Sequence, residues 1–171
     1  QLYQVQNTGD FMYRVTRVLP LPVASVEGQS VRYSDYLMKY RSSIHYLTEK
    51  EQVNLKTADG QLRQDAVKHQ ALRDAITEAY AAKLADERGI TASNAELDVF
   101  LEEQRFSPDG TVSQSTYNAV VRDYYGWSPD EYRHAMKNEL IRQKVAYAID
   151  SAASERSEKV TSRIAAGETD L

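Results

Sequence analysis

Residues 23–47 read VASVEGQSVRYSDYLMKYRSSIHYL, and the apolar period changes in the middle of this stretch. Val23-Ala24-Ser25-Val26 suits a short strand, Glu27-Gly28 a turn, and Gln29-Ser30-Val31 a second extended piece. A hairpin this small is marginal alone and has to dock on something larger. From Tyr33 the spacing becomes helical, with Tyr33, Leu37, Tyr40, Ile44 and Leu47 on one stripe. Ser34 is the expected N-cap. The pattern predicts a helix to about Leu55, with Thr48-x-x-Glu51 as a restart signal and Asp59-Gly60 as the stop.

Toward the C-terminus the helical pattern continues. Residues 64–88 carry the stripe Val67, Ala71, Leu72, Ala75, Ile76, Ala79, Tyr80 and Leu84, and Gly89 is the expected C-cap glycine. Ser93-x-x-Glu96 is a capping box for a short helix with Leu97, Phe100 and Leu101. Phe106 to Gly110 reads as a loop. A further short helix from Ser115 carries Tyr117, Val120 and Val121 and is broken by Gly126. Ser128-Pro129-Asp130-Glu131 combines an N-cap, a first-turn proline and a capping glutamate. It opens a long last helix, from about Pro129 to Ala165, with Tyr132, Ala135, Met136, Leu140, Val145, Ala148, Ile149 and Ala152 on its stripe. Beyond Ala153 the helix turns polar, and residues 154–165 fit a partner-seeking extension.

Toward the N-terminus, residues 1–22 read as an extended arm. Asn7-Thr8-Gly9-Asp10 is a turn signal, and Pro20-Leu21-Pro22 favours an extended strut. The expected fold is therefore mainly α: a multi-helix domain over residues 23–171 with one short β element near residues 23–31 and a long C-terminal helix. No repeat or low-complexity tract interrupts it.

The 171 residues carry 21 Lys+Arg against 25 Asp+Glu, a net charge of −4, which argues against nucleic-acid binding through bulk charge. Cysteine is absent, so disulfides, thiolate catalysis and Cys-based metal sites are excluded. No apolar run is long enough for a transmembrane helix, and no signal peptide is visible. Tyrosine is over-represented, 12 against 3 Phe and 1 Trp, which suits half-buried positions.

Catalytic constellations do not emerge. His45, His69 and His134 fall on three different helices, without HExxH or paired spacing. Neither G-x-S-x-G nor a glycine-rich phosphate loop occurs. Glu102 and Glu103 are adjacent and point to different helix faces, while Asp130 and Glu131 serve a helix start. No catalytic, cofactor or metal residue is expected. The aromatic set Phe106, Tyr117, Tyr124, Tyr125 and Trp127 has two readings: a plug between the short helices and the long one, or the lining of an exposed groove for extended peptides. Tyr36, Tyr40 and Tyr46 of the first helix can add to either, with Tyr40 on the core stripe.

Four segments in this order resemble the SurA-like N-terminal domain of the SurA/PpiD/parvulin-linked foldase family. They are Val23-Ala-Ser-Val-Glu-Gly-Gln-Ser-Val31, Ala85-Asp-Glu-Arg-Gly89-Ile90-Thr-Ala-Ser93-Asn-Ala-Glu96-Leu97, Phe106-Ser-Pro-Asp109-Gly110-Thr-Val112-Ser113-Gln-Ser-Thr-Tyr117 and Gly126-Trp-Ser128-Pro-Asp-Glu131-Tyr132. The resemblance covers roughly residues 23–150. Glu27 replaces the family's usual turn Asn or Asp, and no parvulin domain follows. The resemblance implies an extracytoplasmic, ATP-independent chaperone (holdase) that binds unfolded or extended segments of exported proteins and has no isomerase activity. Phe106, Tyr124, Tyr125 and Trp127 are the expected peptide contacts. By analogy, the arm's position implies an upstream membrane anchor outside this chain. The alternative is a structural or assembly protein, a homodimer or envelope complex held by the arm and the long last helix.

Overall fold

The computed structural model describes residues 9–19, 21–107 and 110–165. The element order is α1 (Asp10–Val18), β1 (Pro22–Val26), β2 (Gln29–Arg32), α2 (Tyr33–His45), α3 (Ala58–Glu87), α4 (Asn94–Glu103), β3 (Phe106–Ser107), β4 (Gly110–Thr111), α5 (Gln114–Tyr125) and α6 (Pro129–Ala165). The fold is thus mainly helical, with the short β element and the long last helix where the sequence places them.

β1 and β2 pair antiparallel, Val26 opposite Gln29, around a two-residue turn. Glu27 (φ 46°) and Gly28 (φ 85°) are both left-handed, as a type I′ hairpin turn requires. The hairpin docks through Val31, which is fully buried, and Lys83 of α3 reaches Glu27 at 3.3 Å. Leu21 O accepts from Tyr33 N–H at 2.8 Å, so backbone rather than Ser34 satisfies the start of α2. That helix has no side-chain cap, and the Ser34 hydroxyl turns to Asp35 instead.

α2 ends at His45 and gives way to a wide π-helical turn, Tyr46–Lys50. The expected continuation to Leu55 fails because Thr48 bonds back to the carbonyls of Ile44 and His45 instead of capping a new helix. Asp59-Gly60 is not a stop either. Thr57 caps α3 by accepting from Gly60 N–H at 3.1 Å, and both residues lie in its first turn. A Cβ on Gly60 would sit 2.1 Å from Asn54 O, so the glycine permits the preceding loop to close onto the helix. At the other end of α3, Ile90 N–H returns to Ala85 O at 2.8 Å and Gly89 N–H to Asp86 O, a Schellman ending.

The Ser93–Glu96 capping box of α4 is present. Glu96 also takes Lys144 of α6 at 2.5 Å, and Lys144 bonds Thr91 O as well, so the box joins α4 to α6. Within the stretch expected as a loop, Phe106–Ser107 pairs with Gly110–Thr111 as a minimal hairpin, Phe106 opposite Thr111. Pro108 and Asp109 lie outside the described residues, as do residues 1–8 and Pro20 of the expected turn and strut. Ser113 rather than Ser115 begins α5, accepting from Thr116 N–H.

Residues 10–18 correct the extended-arm expectation: they form a helix. The helix stops at Val18, and Leu19 is already extended, as the residue before a proline prefers. Tyr13 and Thr16 are buried against the body. The Tyr13 hydroxyl donates to Glu131 at 2.5 Å, and the Arg41 guanidinium lies 4.5 Å from its ring centre.

The core sets the tyrosines of α2 against small residues. Tyr33, Tyr36, Leu37, Met38 and Tyr40 meet Ala71 and Ala75 of α3, Ala135 of α6, Val31 and Tyr13. Tyr36 stacks on Tyr40 at 6.1 Å, and Tyr40 takes a hydrogen bond from Gln64. Burial, then the neighbouring Tyr33 and Tyr40, pushes the Tyr36 phenol up to about 12. Glu78 of α3 accepts from Lys39 of α2 and Asn138 of α6, tying the three helices at the core's edge.

Two outcomes follow from this packing. Gly60→Ala lowers stability by about 1–3 kcal/mol through overpacking against Asn54, read as a shifted denaturant midpoint with unchanged slope; an unshifted midpoint would contradict the close approach. The hydrogen bond from Lys144, then those from Ser93, hold the Glu96 carboxyl at about 2 against an ordinary 4.5. Its depressed value makes its contribution to stability complete above about 4.5 and progressively lost as pH falls toward about 2. An NMR titration of Glu96 reads this directly, and Lys144→Met moves the midpoint upward. An ordinary midpoint in the parent chain would refute the triple bonding.

Candidate client-binding surface

Between the end of α2 and the start of α6, six aromatic rings form a continuous chain. Tyr46, in the π turn, meets Tyr124 at 5.3 Å between ring centres; Tyr124 meets Tyr125 edge-on at 4.9 Å. Tyr125 stacks on Trp127 at 4.8 Å and 13°. Trp127 meets Tyr132 at 6.4 Å, and Tyr132 meets Tyr117 at 5.7 Å.

Local backbone chemistry builds this chain. Tyr117, Tyr124 and Tyr125 come from α5, whose C-terminus closes on Gly126 in the left-handed conformation (φ 69°). That single reversal lets the rings on either side of the glycine fold face to face. A side chain there would be strained by the left-handed backbone and tight against the His45 ring, with its Cβ 3.0 Å from that ring. His45 Nε2 bonds Asp123 O at 2.9 Å and Lys50 reaches the Asp123 carboxylate at 2.6 Å, so the ends of α2 and α5 are fastened together. Ser128 and Glu131 cap α6 reciprocally and thereby fix Tyr132.

Exposure rises from Tyr132 to Tyr124, and the two end rings, Tyr46 and Tyr117, are half-buried. Tyr132 is buried, Trp127 half-buried against the core, and Tyr125 and Tyr124 stand 38% and 46% exposed. The Trp127 indole N–H points to Met38 O at 3.4 Å. Of the aromatic set, Trp127 packs at the helix junction beside the buried Tyr132, whereas Tyr124 and Tyr125 face solvent. Val120, 55% exposed, extends the solvent face one turn up α5. Phe106 stands on β3, 63% exposed, and among the described residues pairs with none of these rings.

Three phenols, Tyr132, Tyr125 and Tyr46, are held in the neutral form by their surroundings. Burial, then the hydrogen bond with Tyr117, pushes Tyr132 up, and the two hydroxyls lie 2.6 Å apart. Burial raises Tyr125, with its phenol neighbours adding to the effect. The Tyr124 phenol beside Tyr46 is the chief cause of that group's upward shift. The surface thus offers apolar ring faces and uncharged hydroxyls.

At the Tyr117–Tyr132 end the chain runs into an open cavity of about 430 Å³ between α4, α5 and the start of α6. Leu101, Pro129 and the two tyrosines give it apolar wall, and Arg105, Arg133, Asp98 and Glu102 edge it. Arg133 pairs with Asp98 at 2.6 Å, which keeps the rim near neutral. Sequence reasoning missed Val120 and this cavity. The i, i+3, i+7 spacing of Tyr117, Val120 and Tyr124 carries the signal for the first; the cavity depends on how α4 meets α6 and leaves no local trace.

Among the described residues no group of three or more His, Asp or Glu is arranged to hold a metal, and no helix is long and apolar enough to cross a membrane. His134 instead contacts Asp35 at 3.1 Å, and His69 stands exposed on α3.

No curated protein and no solved structure matches the chain. A family model, the SurA-like N-terminal domain, matches residues 4–146 and so takes in α1 as well as the segments from residue 23 onward. No parvulin domain is detected within the 171 residues. The chain belongs to the SurA-like N-terminal domain family.

Proposed function

We propose that this domain is an ATP-independent holdase that binds unfolded or extended segments of exported proteins. Membership of a chaperone-type family supports the class, and SurA-like domains are typically periplasmic, which supports an extracytoplasmic setting. The observation that carries the reading is the run of rings from Trp127 at the core out to Tyr125 and Tyr124, with an open cavity at the opposite, Tyr117–Tyr132 end. Rigid aromatic side chains bury apolar client groups at low entropic cost, and their hydroxyls serve client backbone groups. With no strong charge of either sign, the surface selects for exposed apolar character rather than for one sequence. Reversible burial of such segments keeps them from one another and so from aggregation.

In this reading Tyr124 and Tyr125 are the main contacts, Trp127 supports them, and Phe106 is a separate contact across β3. The chemistry is binding alone, without cofactor or isomerase step. An upstream membrane anchor, proposed from the arm's position, keeps the domain at the envelope surface. A second reading is assembly through α6. Val145 is the last described buried residue on that helix, and Tyr147 and Ile149 beyond it are 76% and 42% exposed.

Aggregation of an unfolded secreted client, followed by light scattering at equimolar chain, tests the proposal. The parent chain suppresses scattering. The double variant Tyr124→Ala/Tyr125→Ala binds about tenfold more weakly, as two exposed rings at roughly 0.5–1.5 kcal/mol each imply, and keeps its circular dichroism. Full suppression by the folded double variant would remove the ring surface from the function. Absence of suppression by the parent, with a mass that rises with concentration, would favour assembly.

A further inference from the structure

We propose that α1 is a surface-seeking helix that docks the domain flat on an anionic lipid surface. The helix has two apolar faces. One is spent on the body through Tyr13 and Thr16, both buried. The other carries Phe11, Val15 and Val18 at i, i+4 and i+7, with Phe11 75% and Val18 81% exposed. Leu19, at the helix end, adds a further exposed side chain at 53%. Among the described residues of the N-terminal third, Phe11, Val18 and Leu19 are the most exposed large apolar side chains, and they stand together on one short element and its end.

Charge identifies the occupant. Between Asp10 and Glu27 the sequence contains Arg14 and Arg17 and no acidic residue, in a chain whose net charge is −4. At about 100° per residue, Arg14 falls beside the Phe11–Val15–Val18 stripe, and Arg17 lies farther round the same flank, toward Tyr13. An apolar stripe edged by arginines is the pattern of a helix lying in a lipid interface, rings and methyls among the acyl chains and guanidinium groups at the phosphates. A second copy of the chain fits less well, since a two-fold contact through this face would set Arg14 and Arg17 against their own copies. A client segment has the neutral ring surface elsewhere.

The body presents this face ready-made. Tyr13 bonds Glu131 at 2.5 Å, and Arg17 and Arg41 lie 6.0 and 4.5 Å from its ring centre. Docking therefore requires no refolding of α1, and it leaves Tyr124, Tyr125 and the cavity, all on other elements, unassigned to the membrane.

Flotation of the full 171-residue chain with vesicles tests the inference. Vesicles of phosphatidylcholine alone are compared with vesicles containing phosphatidylglycerol, at low and at high salt. The chain binds the phosphatidylglycerol vesicles about tenfold or more tightly than the neutral ones, and high salt removes most of the difference. Two variants, Phe11→Ser/Val18→Ser and Arg14→Glu, each lose most of this binding while keeping the parent's melting temperature, because none of the three side chains is buried. Equal binding to both vesicle types, no binding to either, or undiminished binding by both variants would overturn the proposal. So would a light-scattering mass that rises with concentration in the parent and not in Phe11→Ser/Val18→Ser, which would assign the face to a second copy.

Discussion

Glu131 stands where α1 meets the start of α6, and its carboxylate joins the two. One oxygen receives the Tyr13 hydroxyl of α1, the other the Ser128 N–H that opens α6, while Glu131's own N–H closes the capping box on the Ser128 hydroxyl. Burial by itself raises this carboxyl, but the Tyr13 and Ser128 bonds and the charge of Arg17 hold it below its ordinary value. The charged form is therefore the one the fold is built around. Displacing it releases α1 and the first turn of α6 together, and with the latter the positions of Trp127 and Tyr132. The outer face of α1 and the Trp127–Tyr132 end of the ring chain take their placement from this joint.

The tyrosine-rich core explains why so many rings reach solvent. A phenol can be buried along its ring only if its hydroxyl finds a partner or water. Tyr13 finds Glu131, Tyr40 finds Gln64, and Tyr132 finds Tyr117. Facing alanines such as Ala71, Ala75 and Ala135 give the rings room, but they keep the core thin. A thin core cannot absorb every ring. Tyr124 and Tyr125 on α5 remain half outside, and the property that packs the interior also furnishes the proposed client surface.

Where local chemistry decides, the sequence is a sufficient guide. Ser93-x-x-Glu96 and Ser128-x-x-Glu131 form the capping boxes their spacing implies, Gly126 reverses the chain, and Glu27-Gly28 makes the hairpin turn. Where a residue acts across space, the local signal misleads. Gly60 looks like a terminator because a close approach to Asn54 is invisible in one dimension. Pro20 and Pro22 suggest an extended arm, yet α1 ends before them and gains its stability from Tyr13's distant partners. In the same way, the crowding of rings between residues 117 and 132 is legible, but their contact with Tyr46 and the adjoining cavity arises only when α2, α4 and α6 come together.

The most direct measurement of the central claim is a chemical-shift map of the full chain as an unfolded segment of an exported protein is titrated in. Client binding at the ring chain shifts the resonances of Tyr46, Tyr124, Tyr125 and the Trp127 indole N–H together, with Leu101 and Tyr117 of the cavity following and Leu62 on the outer side of α3 unmoved. Saturable shifts confined to α6 beyond Val145, with the rings unaffected, would contradict it.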